Sequence, residues 1–317
     1  MEESLSNSRR KFLKISALSG AGLLLVPQSA WAGIFREDEI WLTILHTNDM
    51  HSHIDPFDTN DPKYPGQGGM AGRSALIKKI REENPNTLLL DAGDIFQGTP
   101  YFNFYGGELE FKLMSEMKYD AATMGNHDFD NGLYGFHKML PHAKFPFICS
   151  NYDFKDTELH EKTIPHKIIK KDGLKIGIFG VGVELEGLVS KINYGETIYL
   201  DPVKVANEKA LFLKKEKNCD LVICLSHLGF SYESNKISDT KLAAATKNID
   251  VIIGGHTHTF LDAPVIFTNE ENKDVIVNQV GWAGLRLGRI DLKFQRENKR
   301  NESKNFSYIY KANENVG

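Results

Sequence analysis

Five stretches of this sequence share one pattern, in which an apolar, strand-like run is followed at once by side chains that bind metals. They are WLTILHTNDMHSH (41–53), TLLLDAGD (87–94), YDAATMGNHDFD (119–130), LVICLSHLG (221–229) and VIIGGHTHTF (251–260). In α/β folds ligands bind beyond the carboxyl ends of strands, so such runs can converge on one place. Carboxylate, amide oxygen and imidazole suit hard or borderline divalent cations. The pattern predicts a two-metal hydrolase.

Strand and helix patterns alternate along the chain, which predicts an α/β domain. Strands are predicted at 41–46, 87–91, 120–124, 146–150, 164–170, 174–180, 220–225, 250–254, 263–267, 274–278, 287–295 and 306–310. Helices are predicted at 70–83, 108–117, 132–140, 203–216 and 238–247. Strands this numerous, some close enough to form hairpins, favour two stacked mixed β-sheets flanked by helices. The polar stretches 295–304 and 55–69 are predicted loops, and the second is placed to line the mouth of the site.

The first 32 residues have the order of an export signal rather than of a folded segment. Ser8-Arg9-Arg10-Lys11-Phe12-Leu13-Lys14 is a twin-arginine pattern, and an apolar core too short to span a bilayer follows at 15–26. Ala30-Trp31-Ala32 supplies the small residues of a cleavage site. We therefore expect a twin-arginine signal peptide at 1–32, a single domain at 33–317, and a periplasmic protein without a stable membrane anchor after cleavage.

The charge of the chain argues against a nucleic-acid-binding protein, and its cysteine content argues against a disulfide-stabilised one. Removal of 1–32 takes away four basic and two acidic residues, so the remainder has 34 basic and 40 acidic side chains and a net charge of −6. A mildly acidic protein is not suited to holding nucleic acid through its phosphates. Cys149, Cys219 and Cys224 are too few for a disulfide framework, and the first and last lie in apolar runs typical of a core.

The candidate metal ligands come from all five runs. Asp49 and His51 are two positions apart at a strand end, where alternation would point both side chains to one side. Asp94 is the candidate carboxylate that bridges two ions. Sharing it gives three or four ligands per ion and leaves open positions, as in catalytic sites. The full set is Asp49, His51, Asp94, Asn126, His227, His256 and His258.

Three further residues in these runs receive other expected roles. His46 would lie inside a strand and is expected in the core or behind the ligands. Asp91 ends its strand and is expected to cap the turn or to support a histidine ligand. His53 continues the alternation of Asp49 and His51 and is a weaker ligand candidate.

The runs TNDMHSH, DAGD, GNHDFD, SHLG and GGHTH resemble the calcineurin-like metallophosphoesterases, and among them the exported 5'-nucleotidases. The resemblance covers nearly all of the chain after residue 32, with the motifs in the same order. It implies a four-layer fold with two stacked mixed sheets flanked by helices. It also implies two divalent metal ions, drawn from Mn, Zn, Fe or Co, and no other cofactor.

The resemblance also assigns roles within the site. Asp49, His51 and His258 would hold one ion, Asn126, His227 and His256 the other, and Asp94 would bridge them. The family often has Gln where His258 stands, a small departure that keeps a donor atom. His127 and Asp130 match the catalytic pair of the family, in which the histidine contacts the transferring phosphoryl group and the aspartate orients it.

The implied reaction is hydrolysis of a phosphoester by in-line attack of a metal-bridging hydroxide. Nucleoside 5'-monophosphates or related nucleotides are the expected substrates. The same core could serve a cyclic-nucleotide phosphodiesterase, a nucleotide-sugar pyrophosphatase, a sulfur esterase or a broad phosphomonoesterase. A non-catalytic metal-binding scaffold is disfavoured, because His127 and Asp130 bind no metal in this scheme and have no role without catalysis.

Full-length members of the family carry a carboxyl-terminal domain whose aromatic rings clamp the nucleobase and whose arginines hold the phosphate. The present sequence ends at Gly317, which predicts that this half is absent. Three explanations are open: a separate carboxyl-terminal nucleotidase-domain protein, a smaller phosphate ester as substrate, or broad specificity. The first is favoured, because the metal half alone offers little that reads a base.

The export signal can be tested directly. Replacement of both Arg9 and Arg10 with Lys should leave uncleaved precursor inside the cell, because the twin-arginine pattern is lost while the positive charge stays. Cell fractionation followed by blotting measures the distribution. The matched control replaces Lys11 and Lys14 with Arg, which keeps both Arg9 and Arg10. Normal export of the Arg9, Arg10 variant would show that another route is used.

Overall fold

Two large β-sheets form the centre of the fold. The computed structural model describes residues 38–299 and the backbone of a last strand at 301–311. The predicted signal peptide and its cleavage site lie outside these residues. The strands are β1 (Glu39–Thr47), β2 (Thr87–Asp91), β3 (Ala121–Ala122), β4 (Tyr152–Asp153), β5 (Lys167–Lys171), β6 (Leu174–Gly182), β7 (Ile198–Tyr199), β8 (Leu221–His227), β9 (Val251–Gly254), β10 (Val265–Thr268), β11 (Asp274–Asn278), β12 (Arg286–Gln295) and β13 (Asn301–Lys311).

The helices fall between these strands. They are α1 (Met70–Glu83), α2 (Pro100–Tyr105), α3 (Glu108–Glu116), α4 (Gly132–Met139), α5 (Lys191–Tyr194), α6 (Pro202–Leu211) and α7 (Asp239–Ala244). Helix α6 begins with Asp201 as its N-cap, where the side chain accepts a hydrogen bond from Lys204 N at 2.8 Å, and with Pro202 in its first turn. This is the start that a capping Asp before Pro favours.

The sheets are mixed, as the sequence predicts. One has the strand order β13-β12-β1-β2-β3 and the other β10-β11-β9-β8-β6-β5, while β4 and β7 form a small third sheet. β1, β2 and β3 run parallel, as do β6, β8, β9 and β11. β5, β10 and β13 each pair antiparallel with a neighbour. Parallel central strands bring the ends of β1, β2, β3, β8 and β9 to the same side of their sheets.

Alternation along each strand decides which layer its residues join. In β1 and β8, Leu42 and Ile223 belong to one buried cluster between the two sheets. Their strand neighbours Leu45 and Cys224 face outward, into separate clusters that also contain residues of the helices. The clusters define a helix–sheet–sheet–helix arrangement, so the predicted four-layer α/β fold is confirmed. Burial of these apolar faces is the main favourable term in folding.

Some predicted boundaries were wrong. Residues 146–150 form no strand and make only isolated bridges, at Phe147 and Ile148. Pro146 has no N–H to donate, and the adjacent β3 is only two residues long. The predicted loop 295–304 is shorter than expected, because β13 already begins at Asn301. Strand pairing uses backbone groups, so the polar composition of this stretch does not prevent it.

Short elements without apolar periodicity were missed altogether. These are α2, α5, the small β4–β7 sheet and a 3₁₀ turn at His127–Phe129. The three cysteines are free and buried, in agreement with the core positions predicted for Cys149 and Cys224. Within residues 38–299 and 301–311, no helix has the length and apolar character needed to cross a membrane.

His46 in β1 is a core residue and not a metal ligand. Its side chain is fully buried, and its Nε2 accepts a hydrogen bond from Asn278 Nδ2 at 2.8 Å. The ring occupies space left by Gly288, where a Cβ would lie 2.1 Å from His46 Nε2. Burial lowers the pKa of His46 from 6.5 to about 3.

This pKa predicts a pH dependence of stability. Between pH 6.5 and about 3 the unfolded state binds a proton at His46 that the folded state does not, so stability falls as pH falls through this window. The slope from this residue is at most about 1.4 kcal/mol per pH unit. His46→Gln keeps an acceptor for Asn278 and removes the titration. Its difference from wild type in unfolding free energy should therefore shrink from pH 6.5 to pH 4.

Chemical denaturation at several pH values measures this difference. Asn235→Gln, a change between non-titrating side chains at an exposed position, is the matched control and should show a difference that does not change with pH over the same window. A constant difference for His46→Gln would contradict the burial of a neutral imidazole.

Candidate active site

The candidate ligands lie where five strands end. Asp49 and His51 follow β1, Asp94 follows β2 and Asn126 follows β3 in the first sheet. In the second sheet His227 is the last residue of β8, while His256 and His258 follow β9. The structure brings all seven together, in two groups that Asp94 joins. Their roles as ligands remain a proposal.

The first group consists of Asp49, His51 and His258, whose candidate ligand atoms all lie within 4.8 Å of one another. His51 Nε2 is 3.0 Å from His258 Nε2, and His258 Nε2 is 3.4 Å from Asp49 Oδ1. His51 Nδ1 donates to Phe96 O at 3.2 Å, which leaves its Nε2 with a lone pair directed at the group. This is the orientation that a metal-binding histidine takes.

The second group consists of Asp94, His227 and His256, with Asn126 beside them. Asp94 Oδ2 is 3.1 Å from His227 Nε2 and 3.9 Å from His51 Nε2, so this one oxygen faces both groups. Asn126 Oδ1 is 2.7 Å from His256 Nδ1. His227 Nδ1 donates to Ala92 O at 2.7 Å, and its buried Nε2 has no hydrogen-bond partner among the described residues.

These residues fit a pair of divalent cations. The ring nitrogens of His51 and His258 face each other at 3.0 Å, and the buried Nε2 of His227 faces a carboxylate without a hydrogen bond, an arrangement of donors that suits bound cations. Asp49 and Asp94 are almost completely buried carboxylates near several imidazoles, where a cation offsets the cost of burial. The mixed O and N donor set accepts Mn, Zn, Fe or Co.

The buried pair Asp94 and His227 shows how strongly the site favours positive charge. Burial by itself lowers the pKa of His227, but Asp94 outweighs it and raises that pKa to about 10. Burial by itself raises the pKa of Asp94, but His227 and His51 hold it below its ordinary value. A metal ion would take the place of this proton, so metal binding releases it.

The backbone at the site differs from the one that the sequence predicts. β1 ends at Thr47, so strand alternation is the wrong reason for the shared direction of Asp49 and His51. Both residues instead have left-handed backbone, with φ of 50° and 48°, as do Asp94, His256 and His258 with φ of 56°, 76° and 51°. Non-glycine residues rarely adopt this conformation, and clusters of it mark functional sites.

Glycine is required where the second and third loops meet. A Cβ on Gly125 would lie 2.2 Å from Asp94 Oδ1, and one on Gly93, at φ +90°, would lie 2.5 Å from Gly125 N. The absence of both side chains lets the loop after β3 approach the bridging carboxylate. His127 N can then donate to Asp94 Oδ1 at 2.7 Å.

Asp128 is a supporting residue that sequence reasoning missed. Its buried carboxylate accepts four backbone N–H groups, those of Asp94 at 3.0 Å, Ile95 at 3.0 Å, Phe96 at 3.2 Å and Gly125 at 2.8 Å. It therefore ties the loop of Asp94 to the loop of Asn126. Its place in GNHDFD gave the only sequence signal, and nothing there indicates that most of its partners lie in the loop after β2.

His127 and Asp130 form a pair at the edge of the ligand groups. His127 Nδ1 donates to Asp130 Oδ2 at 2.8 Å, and the histidine side chain is 41% exposed. The hydrogen bond to Asp130 raises the pKa of His127. Its Nε2 is therefore available for an external group, and the imidazolium form is favoured.

The remaining predicted residues take supporting places. Asp91 Oδ1 accepts from Gly93 N at 2.9 Å, so it caps the turn as expected. His53 belongs to neither ligand group and stacks on Phe57 with ring centroids 4.8 Å apart. Trp282, which the motifs gave no reason to expect, stacks on His258 at 5.7 Å with the ring planes 8° apart.

Comparison with known proteins identifies the family of this site. The family model for calcineurin-like phosphoesterases matches residues 42–260, which includes all seven candidate ligands and the His127–Asp130 pair. A snake venom 5'-nucleotidase of Crotalus adamanteus is 34% identical over 301 residues, covering 86% of this chain and 49% of that protein. The trifunctional nucleotide phosphoesterase protein YfkN of Bacillus subtilis is 32% identical over 297 residues, covering 82% and 19%.

Solved structures agree with the sequence comparisons. The crystal structure of a 5'-nucleotidase precursor from Thermus thermophilus has a TM-score of 0.77 and 31% identity, covering 86% of this chain and 54% of that one. The chain belongs to the calcineurin-like phosphoesterase family and is a metal-dependent phosphoester hydrolase similar to 5'-nucleotidases. It spans about half the length of the 5'-nucleotidases it matches.

The proposed separation of ligands from the catalytic pair predicts an outcome for His127→Asn. Turnover of a phosphate ester should fall by roughly 10²- to 10⁴-fold, because the acid and charge-stabilising group is lost. Metal content should stay at the wild-type value. Steady-state kinetics together with elemental analysis of the purified protein measures both quantities.

His227→Asn is the comparison variant, and it should lose metal as well as turnover. Loss of metal from His127→Asn would show instead that His127 is a ligand, and its role as a separate catalytic group would then be wrong.

Proposed function

We propose that this protein is a dinuclear hydrolase of nucleotides, with nucleoside 5'-monophosphates as the preferred substrates. The carrying observation is the pair of ligand groups that share Asp94, next to a histidine that binds neither group but hydrogen bonds Asp130. A storage or scaffold site needs no such histidine. The names of the relatives from Crotalus adamanteus and Thermus thermophilus support nucleotides as the substrate class.

Each candidate site residue has its own role in the proposed reaction. Asp49, His51 and His258 would hold one ion, and Asn126, His227 and His256 the other, with Asp94 between them. When bound, the two ions would supply Lewis acidity to the phosphoryl oxygens and to the attacking water. His127, as imidazolium, would donate from Nε2 to an oxygen of the phosphoryl group or to the leaving group. Asp130 keeps the proton on Nδ1 and fixes the ring.

Hydrogen bonds from neighbouring groups hold these candidate ligands in their positions. Asp128 and the backbone N–H of His127 hold the loops around Asp94, and Ala92 O and Phe96 O orient His227 and His51. Such preorganised groups need no rearrangement as charge develops on the phosphoryl oxygens. Substrate therefore meets a rigid centre with one exposed side, at His127 and His258.

We also propose export by the twin-arginine route and a separate polypeptide that supplies the substrate-reading half. The Ser8–Lys14 pattern supports the first. The exposed side chain of His127, which leaves one side of the site open to a second protein, supports the second. Gel filtration of the chain with a candidate partner, combined with activity measurements, tests the association.

A substrate panel tests the proposed reaction. Protein stripped with a chelator should be inactive, and addition of Mn²⁺ or Zn²⁺ should restore hydrolysis of 4-nitrophenyl phosphate and of AMP. AMP should be hydrolysed faster than 2',3'-cyclic AMP or UDP-glucose, since a monoester presents more negative charge to the ions. Phosphate release measures the monoesters, and chromatography of products measures the others.

Asp94→Asn is the control for this panel, because it removes the shared negative charge with little change in size. It should lose metal and activity together. Activity that survives chelation would contradict the two-metal reaction. Preference for the cyclic ester or the nucleotide sugar would assign the protein to a phosphodiesterase or pyrophosphatase instead. Full activity on AMP by the isolated chain would count against a separate substrate-reading protein.

A further inference from the structure

A cavity of about 280 Å³ lies beside the candidate active site. Its lining residues are Lys63, Tyr64, Gln67, Phe260, Leu285 and Arg286. None of the proposed metal ligands, and neither His127 nor Asp130, contributes to it. The volume equals that of on the order of nine water molecules, which is enough for a phosphate group and part of the sugar that carries it. Whatever occupies it is therefore not the reacting phosphoryl group.

A row of aromatic rings connects the cavity to the metal ligands. Trp282 stacks on His258, and its ring centroid is 6.0 Å from that of Phe57. Phe57 is 5.5 Å from Tyr64, which is 6.5 Å from Phe260. Phe260 follows His258 by two residues, so their α-carbons are at most about 7 Å apart. One wall of the cavity therefore lies two residues along the chain from a candidate metal ligand.

The loop 55–69 that forms one wall is closed by its own hydrogen bonds. Phe57 N donates to Gln67 O at 2.8 Å, and Met70 N donates to Ile54 O at 2.8 Å. Pro56 and Gly68 lie opposite each other in an isolated antiparallel bridge. These hydrogen bonds give the loop a defined shape where it lines the cavity.

The polar groups of the cavity favour an anion. Lys63 is exposed, and the only ionic partner of Arg286 within the described residues is Asp262, at 3.1 Å from Nη1. Leu261 O takes a second bond from the same nitrogen at 3.2 Å, which leaves Nε and Nη2 of Arg286 for a ligand. The side-chain amide of Gln67 also has no hydrogen-bond partner among the described residues. No carboxylate is among the lining residues, and Asp262, the ionic partner of Arg286, is 94% exposed to solvent.

We propose that this cavity binds a second, non-reacting phosphate of the substrate, separated from the reacting phosphate by a sugar. Nucleoside bisphosphates are the ligand class with this spacing. Lys63 and Arg286 would pair with the distal phosphate, since a guanidinium and an ammonium together suit its oxygens. Tyr64 and Phe260 would contact the sugar. The inference rests on the proposed function, because it places the reacting phosphate at the two metal groups.

Competition with a small substrate tests the cavity. AMP and adenosine 3',5'-bisphosphate are each used to inhibit hydrolysis of 4-nitrophenyl phosphate, which has no second phosphate. In the wild-type protein the bisphosphate should bind about tenfold more tightly than AMP, as expected for a second phosphate with two cationic partners. The advantage should decrease with added salt, because Lys63 is exposed.

Two variants locate the effect. Lys63→Glu should reduce the advantage of the bisphosphate to less than about twofold, and Arg286→Gln should reduce it by a smaller factor. Both should leave kcat and KM for 4-nitrophenyl phosphate unchanged. Lys79→Glu is the matched control, because it makes the same change of charge at an exposed position of α1 and should keep the full advantage.

Several results would overturn the assignment. One is equal affinity of the wild-type protein for the two nucleotides, and another is a bisphosphate advantage that persists in Lys63→Glu. If adenosine binds and Tyr64→Ala abolishes that binding while the phosphate has no effect, the cavity reads the base instead. Calorimetric titration of both nucleotides gives the same ratio without turnover. Absence of hydrolysis would thus contradict the proposed function, while the calorimetric ratio would still test binding of the second phosphate in the cavity.

Discussion

The carboxylate of Asp94 is the point on which the rest of the site depends. One of its oxygens accepts the backbone N–H of His127, and the other faces His227 at 3.1 Å and His51 at 3.9 Å. It thereby connects loops from both sheets. An unpaired carboxylate buried to this extent would be strongly destabilising, so the surrounding imidazoles and the ions they would bind are needed for this charge to remain. The carboxylate oxygens of Asp94 therefore affect both the stability of the fold and the proposed function.

The loops around Asp94 are held in an unfavourable backbone conformation. Five of the seven proposed ligands have left-handed φ, which costs each non-glycine residue about 1–2 kcal/mol. The four N–H groups bound by Asp128 and the N–H of His256, which donates to Asp49 at 2.9 Å, offset part of this cost. The two packed sheets supply the remainder, because their buried faces fix the strand ends from which these loops start.

The reaction and the substrate are governed by different parts of the chain. The two candidate ligand groups lie at strand ends within the part of the chain that the family model matches, and one relative in this family is named a trifunctional nucleotide phosphoesterase. The loop 55–69 and the aromatic row from Trp282 to Phe260 lie outside the ligand runs. In the proposed function these residues contact the part of a substrate that does not react.

The sequence by itself determined the candidate ligands, their position after strands and two stacked mixed sheets flanked by helices, because these follow from local apolar periodicity, residue chemistry and the family motifs. Asp94, His227 and His256 could be named without coordinates for this reason. Only the tertiary structure decided how the loops turn, that Asp128 joins two of them, and that Lys63, Phe260 and Arg286 meet in one cavity. Those contacts link residues 30 to more than 200 positions apart, and no local pattern encodes them. They arise from the packing of two sheets whose strand ends face one side.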